Sequence, residues 1–388
     1  MKVLHIGKYY PPFKGGMETY LQGLVQALAK RGIEVQVLVH HAKTLRRSSV
    51  EPDVTGPDAV SVTRAAILGR LLFTPISPVF PLLVWRLLKD HPPDVLHVHL
   101  PNVSAFWLLL VPGAKRVPWV IHWHSDVPLD AASKGIRWFA GLYARLERLL
   151  LRQASAVIAT SPPYLESSRA LQPFAQKCHM VPLGIDQYRL WRLVAPDPVS
   201  VSGAQFSVLL VGRLSYYKGF DVAIRAIASL PGVKLNIVGE GDQWGLLHAL
   251  VDELGLSERV TFFGALNDKE LAQQLHACDC LCLPSVERTE AFGMVLLEAM
   301  SYRKATIVSD VPGSGMGWVV EDGVTGIKVP PGDRQALIKA IAWLRENAQE
   351  MVRMGAEGER RGSEVFTIVA SAEAVQSLYV EVVACEDS

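Results

Sequence analysis

The feature that most constrains the fold is the alternation of short, apolar, β-branched runs with longer stretches of helical periodicity. Such runs are typical of parallel strands that helices cover on both faces of a sheet. Each half of the chain therefore predicts one doubly wound α/β domain. The predicted strands are 3–7, 35–40, 95–99, 119–122 and 156–160 in the first half, and 208–212, 234–239, 260–264, 280–284 and 306–309 in the second.

Length and a change in composition divide the chain into two domains. At about 100–200 residues per domain, 388 residues fit two domains of ordinary size. Residues 195–203 are rich in Pro, Ser and Gly, which is typical of a linker. We expect one domain over residues 1–195, a second over 196–365, and a C-terminal segment, 366–388, whose helix crosses back to the first domain. Because parallel sheets bind ligands beyond the carboxyl ends of their strands, two facing domains predict a cleft lined by the loops after the strands.

Composition excludes several classes of protein. Apolar residues make up 49% of the chain and charged residues 20%, so the chain is neither disordered nor of low complexity. Five Cys do not form a disulfide framework in a chain of this length, and the net charge of +1 argues against nucleic acid as a partner. No secretory signal is apparent at residues 1–7, and Arg and Pro interrupt the apolar window 68–88. We therefore expect a cytoplasmic protein.

The two halves carry opposite charge. Residues 1–195 hold 23 Lys and Arg against 12 Asp and Glu, a net charge of +11, and the remaining residues carry −10. A basic half is suited to an anionic membrane surface or an anionic substrate, although opposite charges also help two domains to dock. The stretch 134–152 combines apolar residues with arginines, and it is either a core helix or a helix lying on an anionic bilayer.

A glycine pair stands where the first strand should lead into a helix over residues 19–30. Gly15 and Gly16 would let backbone N–H groups approach an anion closely at the start of this helix, and a flexible turn is the alternative. The G-x-G-x-x-G pattern of dinucleotide-binding folds is absent at this place, which argues against an NAD(P)-dependent enzyme.

Two cationic residues follow the strand predicted at 208–212. Arg213 and Lys218 would lie at the carboxyl end of that strand. There, a planar guanidinium and an ammonium group are suited to clamp a diphosphate. An ordinary pair of surface charges is the alternative.

Two carboxylates bracket the start of a helix predicted within residues 290–300. Phe292, Gly293 and Met294 would open this helix and direct backbone N–H groups toward a phosphate or a sugar. Glu290 would precede the helix, and Glu298 would lie about two turns inside it among apolar residues. Carboxylates accept hydrogen bonds from vicinal hydroxyls, so one is suited to bind a hexose and the other a ribose.

These motifs together resemble the retaining glycosyltransferases of family four. The segment from Glu290 to Glu298 is similar to the family's E-x7-E signature. Arg213 with Lys218 is similar to its diphosphate-binding pair, and the glycine pair at residues 15 and 16 is similar to its N-terminal glycine loop. The resemblance implies a GT-B fold of two Rossmann-like domains, with the nucleotide sugar held mainly by the second. It also implies transfer with retention at the anomeric carbon and no obligatory metal.

The same resemblance assigns a role to each residue. Arg213 and Lys218 would stabilise the departing nucleoside diphosphate. Glu290 would bind the hydroxyls of the transferred sugar, Glu298 would bind those of the ribose, and His124 would contact the sugar near the anomeric centre. Because no motif places a carboxylate as a covalent nucleophile, the expected mechanism is front-face attack with the departing phosphate as base.

Residues 122–126, 216–219 and 286–290 resemble a branch of O-antigen and exopolysaccharide mannosyltransferases. This branch implies GDP-mannose as donor and a glycan linked to a polyprenyl diphosphate as acceptor, with His122 and Asp126 near the acceptor. Together with the basic first half, such an acceptor favours weak contact with the cytoplasmic face of the inner membrane.

Two other functions remain open. Another GT-B enzyme using UDP-glucose, UDP-galactose or UDP-N-acetylglucosamine would select its base through the loop 265–269, whose sequence does not identify the base. A non-catalytic, nucleotide-sugar-binding subunit of a polysaccharide assembly complex is the second alternative, and the intact motifs of the second half argue against it. The loop 313–317 departs from the G-G-x-x-E pattern of many family members, which leaves the contacts of that loop open.

Alternating histidines raise the question of a metal site. His97 with His99, and His122 with His124, would point the same way on their strands and offer two ligands each. A contact of His124 with the sugar, and ordinary buried histidines at strand ends, explain the same residues, so we expect no metal. The alternating cysteines of segment 278–282 suggest a buried strand and lack the C-x2-C spacing of a zinc site.

Overall fold

The computed structural model describes residues 1–53, 60–71, 74–127, 137–195 and 205–386. These residues form two compact units, Met1–Leu183 with Ile368–Ser388, and Gly184–Thr367. The linker predicted at 195–203 lies outside the described residues apart from residue 195.

The first unit ends at Leu183, before the boundary that the sequence predicts at residue 195. The segment that follows contains a short helix, Gln187–Trp191, which belongs to the second unit. The indole N–H of Trp191 donates a hydrogen bond to the carbonyl oxygen of Ser301 at 2.9 Å. Composition alone does not reveal that the residues before the predicted linker belong to the second unit.

The first unit is built on one eight-stranded sheet with the order β10-β9-β8-β7-β1-β2-β4-β3. Its strands are β1 Lys2–Ile6, β2 Glu34–His40, β3 Ser49–Asp53, β4 Val60–Ala65, β7 Val95–Leu100, β8 Trp119–Trp123, β9 Ala156–Ala159 and β10 Cys178–Met180, and β5 Gly69–Leu71 with β6 Thr74–Ile76 forms a separate hairpin. Its helices are α1 Gly16–Lys30, α2 Phe80–Asp90, α3 Arg137–Gln153 and α4 Pro162–Ser167. Residues 134–136 of the predicted basic helix lie outside the described residues.

The second unit contains a six-stranded parallel sheet with the order β13-β12-β11-β14-β15-β16. Its strands are β11 Phe206–Val211, β12 Val233–Val238, β13 Val260–Gly264, β14 Cys280–Leu283, β15 Ala305–Ser309 and β16 Gly326–Val329. Its helices are α5 Gln187–Trp191, α6 Phe220–Ala228, α7 Trp244–Glu253, α8 Asp268–Ala277, α9 Met294–Ser301, α10 Met316–Val319, α11 Arg334–Glu346 and α12 Ala348–Val365.

All ten predicted strands are present, with ends that differ by one or two residues at most, which confirms the two doubly wound α/β units. The sequence missed β3, β4, β10 and β16 of the two sheets and the hairpin strands β5 and β6. Strand β3 is mostly exposed, contains Pro52 and pairs antiparallel with β4 at the sheet edge, so it lacks the apolar run that marks a central strand. The cysteines of β14 are buried in the core of the second unit, as predicted for that segment.

The C-terminal helix α13, Ile368–Glu386, returns to the first unit as predicted. The hydroxyl groups of Tyr20 in α1 and Ser371 in α13 share a hydrogen bond of 2.7 Å, and Arg31 pairs with Glu373 at 2.9 Å. Among the described residues, α13 is the one helix that is long and apolar enough to cross a membrane. The packing of α13 against α1 is an alternative explanation for the apolar composition of this helix.

Candidate active site

The candidate site residues of the second unit lie at the carboxyl ends of two neighbouring strands. Strand β11 pairs with β14 in parallel, and the loops that follow the two strands carry the predicted cations and carboxylates. Lys218 ends a short 3₁₀ turn, Tyr216–Lys218, just before α6. Gly219 caps this turn with φ 65°, and a Cβ at this position would lie 2.2 Å from the carbonyl oxygen of Pro284 after β14. The close approach of these two loops sets the position of Lys218.

Lys218 and Glu290 form an ion pair. Their side chains are 10% and 13% exposed, so the pair is largely shielded from water. Burial alone would lower the pKa of Lys218, but the attraction of the Glu290 carboxylate outweighs it and holds that pKa above its usual value. The sequence predicted separate ligands for these residues, the diphosphate and the sugar, and it did not predict the direct contact between them.

Arg213 is exposed and lies two residues beyond the end of β11. The ammonium group of Lys218 lies beside the preceding residue, since a Cβ on Gly212 would be 3.0 Å from Nζ of Lys218. The ammonium group of Lys218 therefore lies beside the backbone of the residue that precedes Arg213. Both residues follow the same strand end, and the diphosphate clamp stays a prediction.

Helix α9 begins at Met294, after Gly293 in the left-handed conformation with φ 82°. Glu298 is therefore about one turn inside the helix rather than the predicted two, because the residues before Met294 are not helical. Glu298 is half-buried, and loss of hydration raises its pKa to about 7, with Arg189 acting against the shift and Asp268 adding to it.

Phe292 contributes to packing. Its buried ring lies edge-on to Phe366 at 5.9 Å between centroids and is tilted against Trp318 at 6.4 Å. Its backbone is therefore the part of Phe292 that is available for the predicted contact with a donor.

The sequence missed the role of loop 313–317, which departs from the family pattern. The hydroxyl of Ser314 donates to the carbonyl oxygen of Glu290, and the backbone N–H of Gly315 donates to that of Ala291 at 2.7 Å. This loop fixes the backbone that carries Glu290. The cluster of Gly and Ser that follows the strand predicted at 306–309 could have indicated a loop that packs closely on a neighbouring backbone.

In the first unit, the predicted glycine pair lies at the start of α1. Gly15 is the N-cap and Gly16 is the first helical residue. A Cβ on Gly15 would lie 2.2 Å from Oε2 of Glu18, so the carboxylate of Glu18 folds back over the helix start. An anion approaching the backbone N–H groups here would meet this carboxylate, which the sequence analysis did not consider.

Five buried histidines of the first unit lie in the neighbouring strands β1, β7 and β8 or directly after β8. We refer to them as the histidine row; they are His5, His97, His99, His122 and His124. Histidines on the same strand stack, with ring centroids 4.5 Å apart for His97 and His99 and 4.4 Å apart for His122 and His124. Burial lowers the pKa of every ring in the row, to about 3 for His5 and His124, so the rings are neutral at pH 7.

The predicted site residues in β8 and directly after it differ in their accessibility. His122 is fully buried, so the direct acceptor contact predicted for it is not available in this conformation, whereas His124 is 6% exposed. Asp126 accepts hydrogen bonds from the indole N–H of Trp123 and the hydroxyl of Ser168, both at 2.8 Å. These bonds fix one carboxylate oxygen of Asp126.

A further titratable group lies near Asp126. Glu147 of α3 is buried, and burial together with the negative charge of Asp126 raises its pKa to about 7. Glu147 is not among the site residues predicted from the sequence. The signal for Glu147 was its place as the one acidic residue in the arginine-rich stretch 134–152.

The histidine row is also the part of the described structure with ring nitrogens close enough to share a metal ion. The two sets, His5 with His97 and His99, and His99 with His122 and His124, each have ligand atoms within 4.8 Å of one another. Most of these nitrogens already form hydrogen bonds with one another.

The first unit and the second unit are both doubly wound, and the second carries cations and carboxylates at its strand ends. These features are typical of a glycosyltransferase of the GT-B class. Residues 15–184 match the model of a glycosyl transferase 4-like domain, and residues 198–361 match that of glycosyl transferases group 1. The chain is 30% identical over 390 residues to O-antigen chain mannosyltransferase C of Escherichia coli, with 98% of both chains covered. This chain therefore belongs to the family-four type of GT-B glycosyltransferases.

Other similar proteins agree with this assignment. D-rhamnosyltransferase WbpZ of Pseudomonas aeruginosa is 29% identical over 378 residues, which cover 95% of this chain and 92% of that protein. Sucrose-phosphate synthase from Thermosynechococcus elongatus has a similar structure, with a TM-score of 0.80 at 23% identity over 99% of both chains. The glycosyltransferase WaaG, which is involved in lipopolysaccharide biosynthesis, has a TM-score of 0.71 at 18% identity over 97% of this chain and 99% of that one. These structures confirm the predicted GT-B fold.

Proposed function

We propose that this glycosyltransferase transfers mannose from GDP-mannose, with retention of the anomeric configuration, to a hydroxyl of a glycan linked to a polyprenyl diphosphate. The product would be an O-antigen or an exopolysaccharide. The observation that carries the donor assignment is the 30% identity to an O-antigen chain mannosyltransferase over 98% of both chains. The ion pair of Lys218 and Glu290, with Glu298 nearby in the sequence, supports the use of a nucleotide sugar.

The proposed chemistry assigns charge stabilisation to the second unit. Arg213 and Lys218 stabilise the nucleoside diphosphate as negative charge develops on it. Glu290 binds hydroxyls of the transferred sugar and Glu298 binds those of the ribose, because carboxylates accept hydrogen bonds from vicinal hydroxyls. His124 contacts the sugar, and the departing phosphate takes the proton of the acceptor hydroxyl in a front-face reaction.

Turnover of GDP-mannose by the purified full chain tests this function. Release of GDP in the presence of a polyprenyl-diphosphate-linked glycan, with an α-linked mannose in the product, is the expected result. Lys218→Met should remove turnover, whereas the control Lys304→Met should retain it. The ammonium of Lys304 is also part-buried, but it donates to the carbonyl oxygen of His276. Binding of GDP-mannose without turnover of any acceptor or of water would favour the non-catalytic subunit instead.

A second donor is favoured by the similarity to a D-rhamnosyltransferase. D-Rhamnose is 6-deoxy-mannose, so the two donors differ in one hydroxyl group. A thermal-shift panel should include GDP-mannose, GDP-D-rhamnose, UDP-glucose, UDP-galactose and UDP-N-acetylglucosamine, because a ligand that binds only the native state raises its stability. Stabilisation by a UDP-sugar alone would contradict the GDP assignment.

The proposed reaction needs no metal. The Arg213 and Lys218 side chains supply positive charge for the diphosphate, so turnover should be unchanged in excess EDTA. A loss of turnover in EDTA that Mn²⁺ or Zn²⁺ restores would contradict this proposal and would favour a metal bound at the histidine row.

The proposed location is the cytoplasm, with weak contact at the cytoplasmic face of the inner membrane. In α3, the apolar side chains of Leu142 and Leu149 are 43% and 44% exposed beside exposed Arg145 and Arg148. Apolar and cationic groups on one helix are suited to an anionic bilayer. Co-sedimentation with phosphatidylglycerol vesicles, reduced in Leu142→Ser/Leu149→Ser, tests this contact. Phosphatidylcholine vesicles are the matched control.

A further inference from the structure

The hydrogen bonds within the histidine row all run in the same sense. Nδ1 of His122 faces Nε2 of His97 at 3.2 Å. Nδ1 of His5 faces Nε2 of His99 at 3.1 Å, and Nδ1 of His99 faces Nε2 of His124 at 3.0 Å. Every link therefore joins Nδ1 of one ring to Nε2 of another, and the row consists of a pair and a trio of linked rings.

Tyr379 of α13 connects the pair to the trio. Its hydroxyl forms a hydrogen bond with Nδ1 of His97 and lies 3.3 Å from Nε2 of His5. A hydroxyl group can accept a hydrogen bond from one ring while it donates its own hydrogen to another. This connection again runs from Nδ1 to Nε2, so the five rings and the hydroxyl form one continuous chain of hydrogen bonds.

This chain has two fully bonded states. A neutral imidazole has one donor and one acceptor nitrogen. If His122 carries its hydrogen on Nδ1, then His97 must accept at Nε2 and carry its own hydrogen on Nδ1, and the same condition passes through Tyr379 to the trio. The rings are therefore all Nδ1–H or all Nε2–H. A mixed state would place two donors or two acceptors face to face and would leave a buried polar group unsatisfied, which destabilises that state.

The two ends of the chain are buried nitrogens that lack a hydrogen-bond partner in the part of the protein that the structure describes. Among the ring nitrogens of the row, Nε2 of His122 and Nδ1 of His124 have no hydrogen-bond partner within the described residues. In the Nδ1–H state, His124 offers a donor at its open nitrogen, and in the Nε2–H state it offers an acceptor. This nitrogen is buried in the present conformation, and a ligand group that reaches it would select the state of the whole row.

We propose that the histidine row and Tyr379 act as one tautomeric relay, which determines whether Nδ1 of His124 donates or accepts a hydrogen bond. Tyr379, His5, His97 and His99 are positioning residues in this proposal, because they act on a ligand through His124. The identity of that ligand as the donor sugar rests on the proposed function, whereas the relay itself is a property of the free protein.

The alternative occupant of this cluster is a metal ion. A metal would need lone pairs from three rings at once, whereas the observed links direct each engaged lone pair at a hydrogen of the neighbouring group. The observed geometry therefore favours the relay.

The tautomers can be read directly from the full chain labelled with ¹⁵N-histidine. Long-range ¹H–¹⁵N correlation spectra distinguish a protonated ring nitrogen from one with a lone pair. Nδ1 of His40 faces the carbonyl oxygen of Lys8 at 2.7 Å and must carry hydrogen, so His40 serves as an internal reference for the Nδ1–H form. The expected result is one tautomer for all five rings of the row, unchanged by EDTA. Mixed tautomers, an imidazolium at pH 7 or a spectrum that changes in EDTA would overturn the proposal.

Tyr379→Phe removes the hydroxyl group that joins the pair to the trio. The expected result is that His97 and His122 no longer share one tautomer with the other three rings. The matched control is Tyr20→Phe, which removes a buried hydroxyl bonded to Ser371 of the same helix but outside the relay. It should leave the row uniform. A uniform row in folded Tyr379→Phe would overturn the coupling, and the wild-type spectrum decides the proposal if this variant does not fold.

Failure of the relay and failure of the proposed function are separable. A uniform row in a chain that does not turn over GDP-mannose supports the relay and contradicts only the ligand assigned to His124. Mixed tautomers in a chain that turns over GDP-mannose contradict the relay and leave the proposed function in place.

Discussion

The ammonium group of Lys218 is paired with the carboxylate of Glu290, and the two side chains are only 10% and 13% exposed. Residues far apart in the sequence meet here because β11 and β14 are neighbours in the sheet, so the loops after them lie side by side. A charge that loses its partner in such surroundings is poorly solvated. Each of the two charges therefore depends on the other, apart from any role of the pair in the proposed chemistry.

Substitutions of the two residues of this pair should not have additive effects on the stability of the protein. Lys218→Met or Glu290→Gln each leaves one buried group unpaired, and we expect a loss of about 3 kcal/mol in the free energy of unfolding. Lys218→Met/Glu290→Gln should lose less than the sum of the two. Urea unfolding of the three variants and of the wild type measures the coupling. Additive losses would show that the two groups are not energetically paired.

A substitution of Arg213 tests the chemical role of these cations apart from their structural role. Because Arg213 is exposed, Arg213→Ala should leave the unfolding midpoint unchanged. It should lower kcat/KM for GDP-mannose by about 10²–10³, the usual cost of losing one electrostatic stabiliser of a transition state. Arg225→Ala, which removes an exposed arginine of α6, is the control. Turnover of Arg213→Ala near the wild-type rate would contradict the diphosphate clamp.

The sequence predicted the sheets better than the contacts at their ends. Central strands such as the one predicted at 208–212 have continuous apolar runs, and these runs were sufficient to locate them. Partners such as Lys218 and Glu290 depend on strand order, which a single sequence does not encode locally. The start of α9 was placed too early because Gly293 adopts a left-handed conformation that ends the loop, and this moved Glu298 from two turns to one turn inside the helix. The links within the histidine row required side-chain geometry.

Gly219 should be much less tolerant of a side chain than Gly232. Both glycines have left-handed backbones, with φ 65° and 76°, but a Cβ on Gly219 would lie 2.2 Å from the carbonyl oxygen of Pro284, and a Cβ on Gly232 would have no atom within 4 Å among the described residues. Gly232→Ala should cost about 1 kcal/mol from backbone strain alone. Gly219→Ala should cost at least about 2 kcal/mol more and should disturb Lys218. Equal urea midpoints of the two variants would contradict the crowding argument.

Glu298 should make the stability of the protein depend on pH. Its pKa is raised from 4.5 to about 7 by burial, so the folded state binds this proton more tightly than the unfolded state does. The stabilising contribution of the protonated group is fully present below about pH 4.5 and is lost as the pH rises through about 7. Glu298→Gln should therefore be more stable than the wild type at pH 8 and of similar stability at pH 4.5. Urea midpoints at the two pH values test this prediction, and a pH-independent difference between the two proteins would contradict it.

Donor binding should show the opposite pH dependence. If the ribose hydroxyls donate to ionised Glu298, the affinity for GDP-mannose should rise about tenfold from pH 6 to pH 8, as a carboxyl of pKa about 7 ionises. GDP-mannose is the appropriate ligand because neither of its phosphates titrates in this range. Glu298→Gln should bind about 10–150-fold more weakly at pH 8 and without this pH dependence. Glu290→Gln should retain the pH dependence and lose turnover, since its proposed partner is the sugar. Calorimetry of the three proteins at both pH values measures this, and equal losses of affinity in the two variants would contradict the separate roles of the carboxylates.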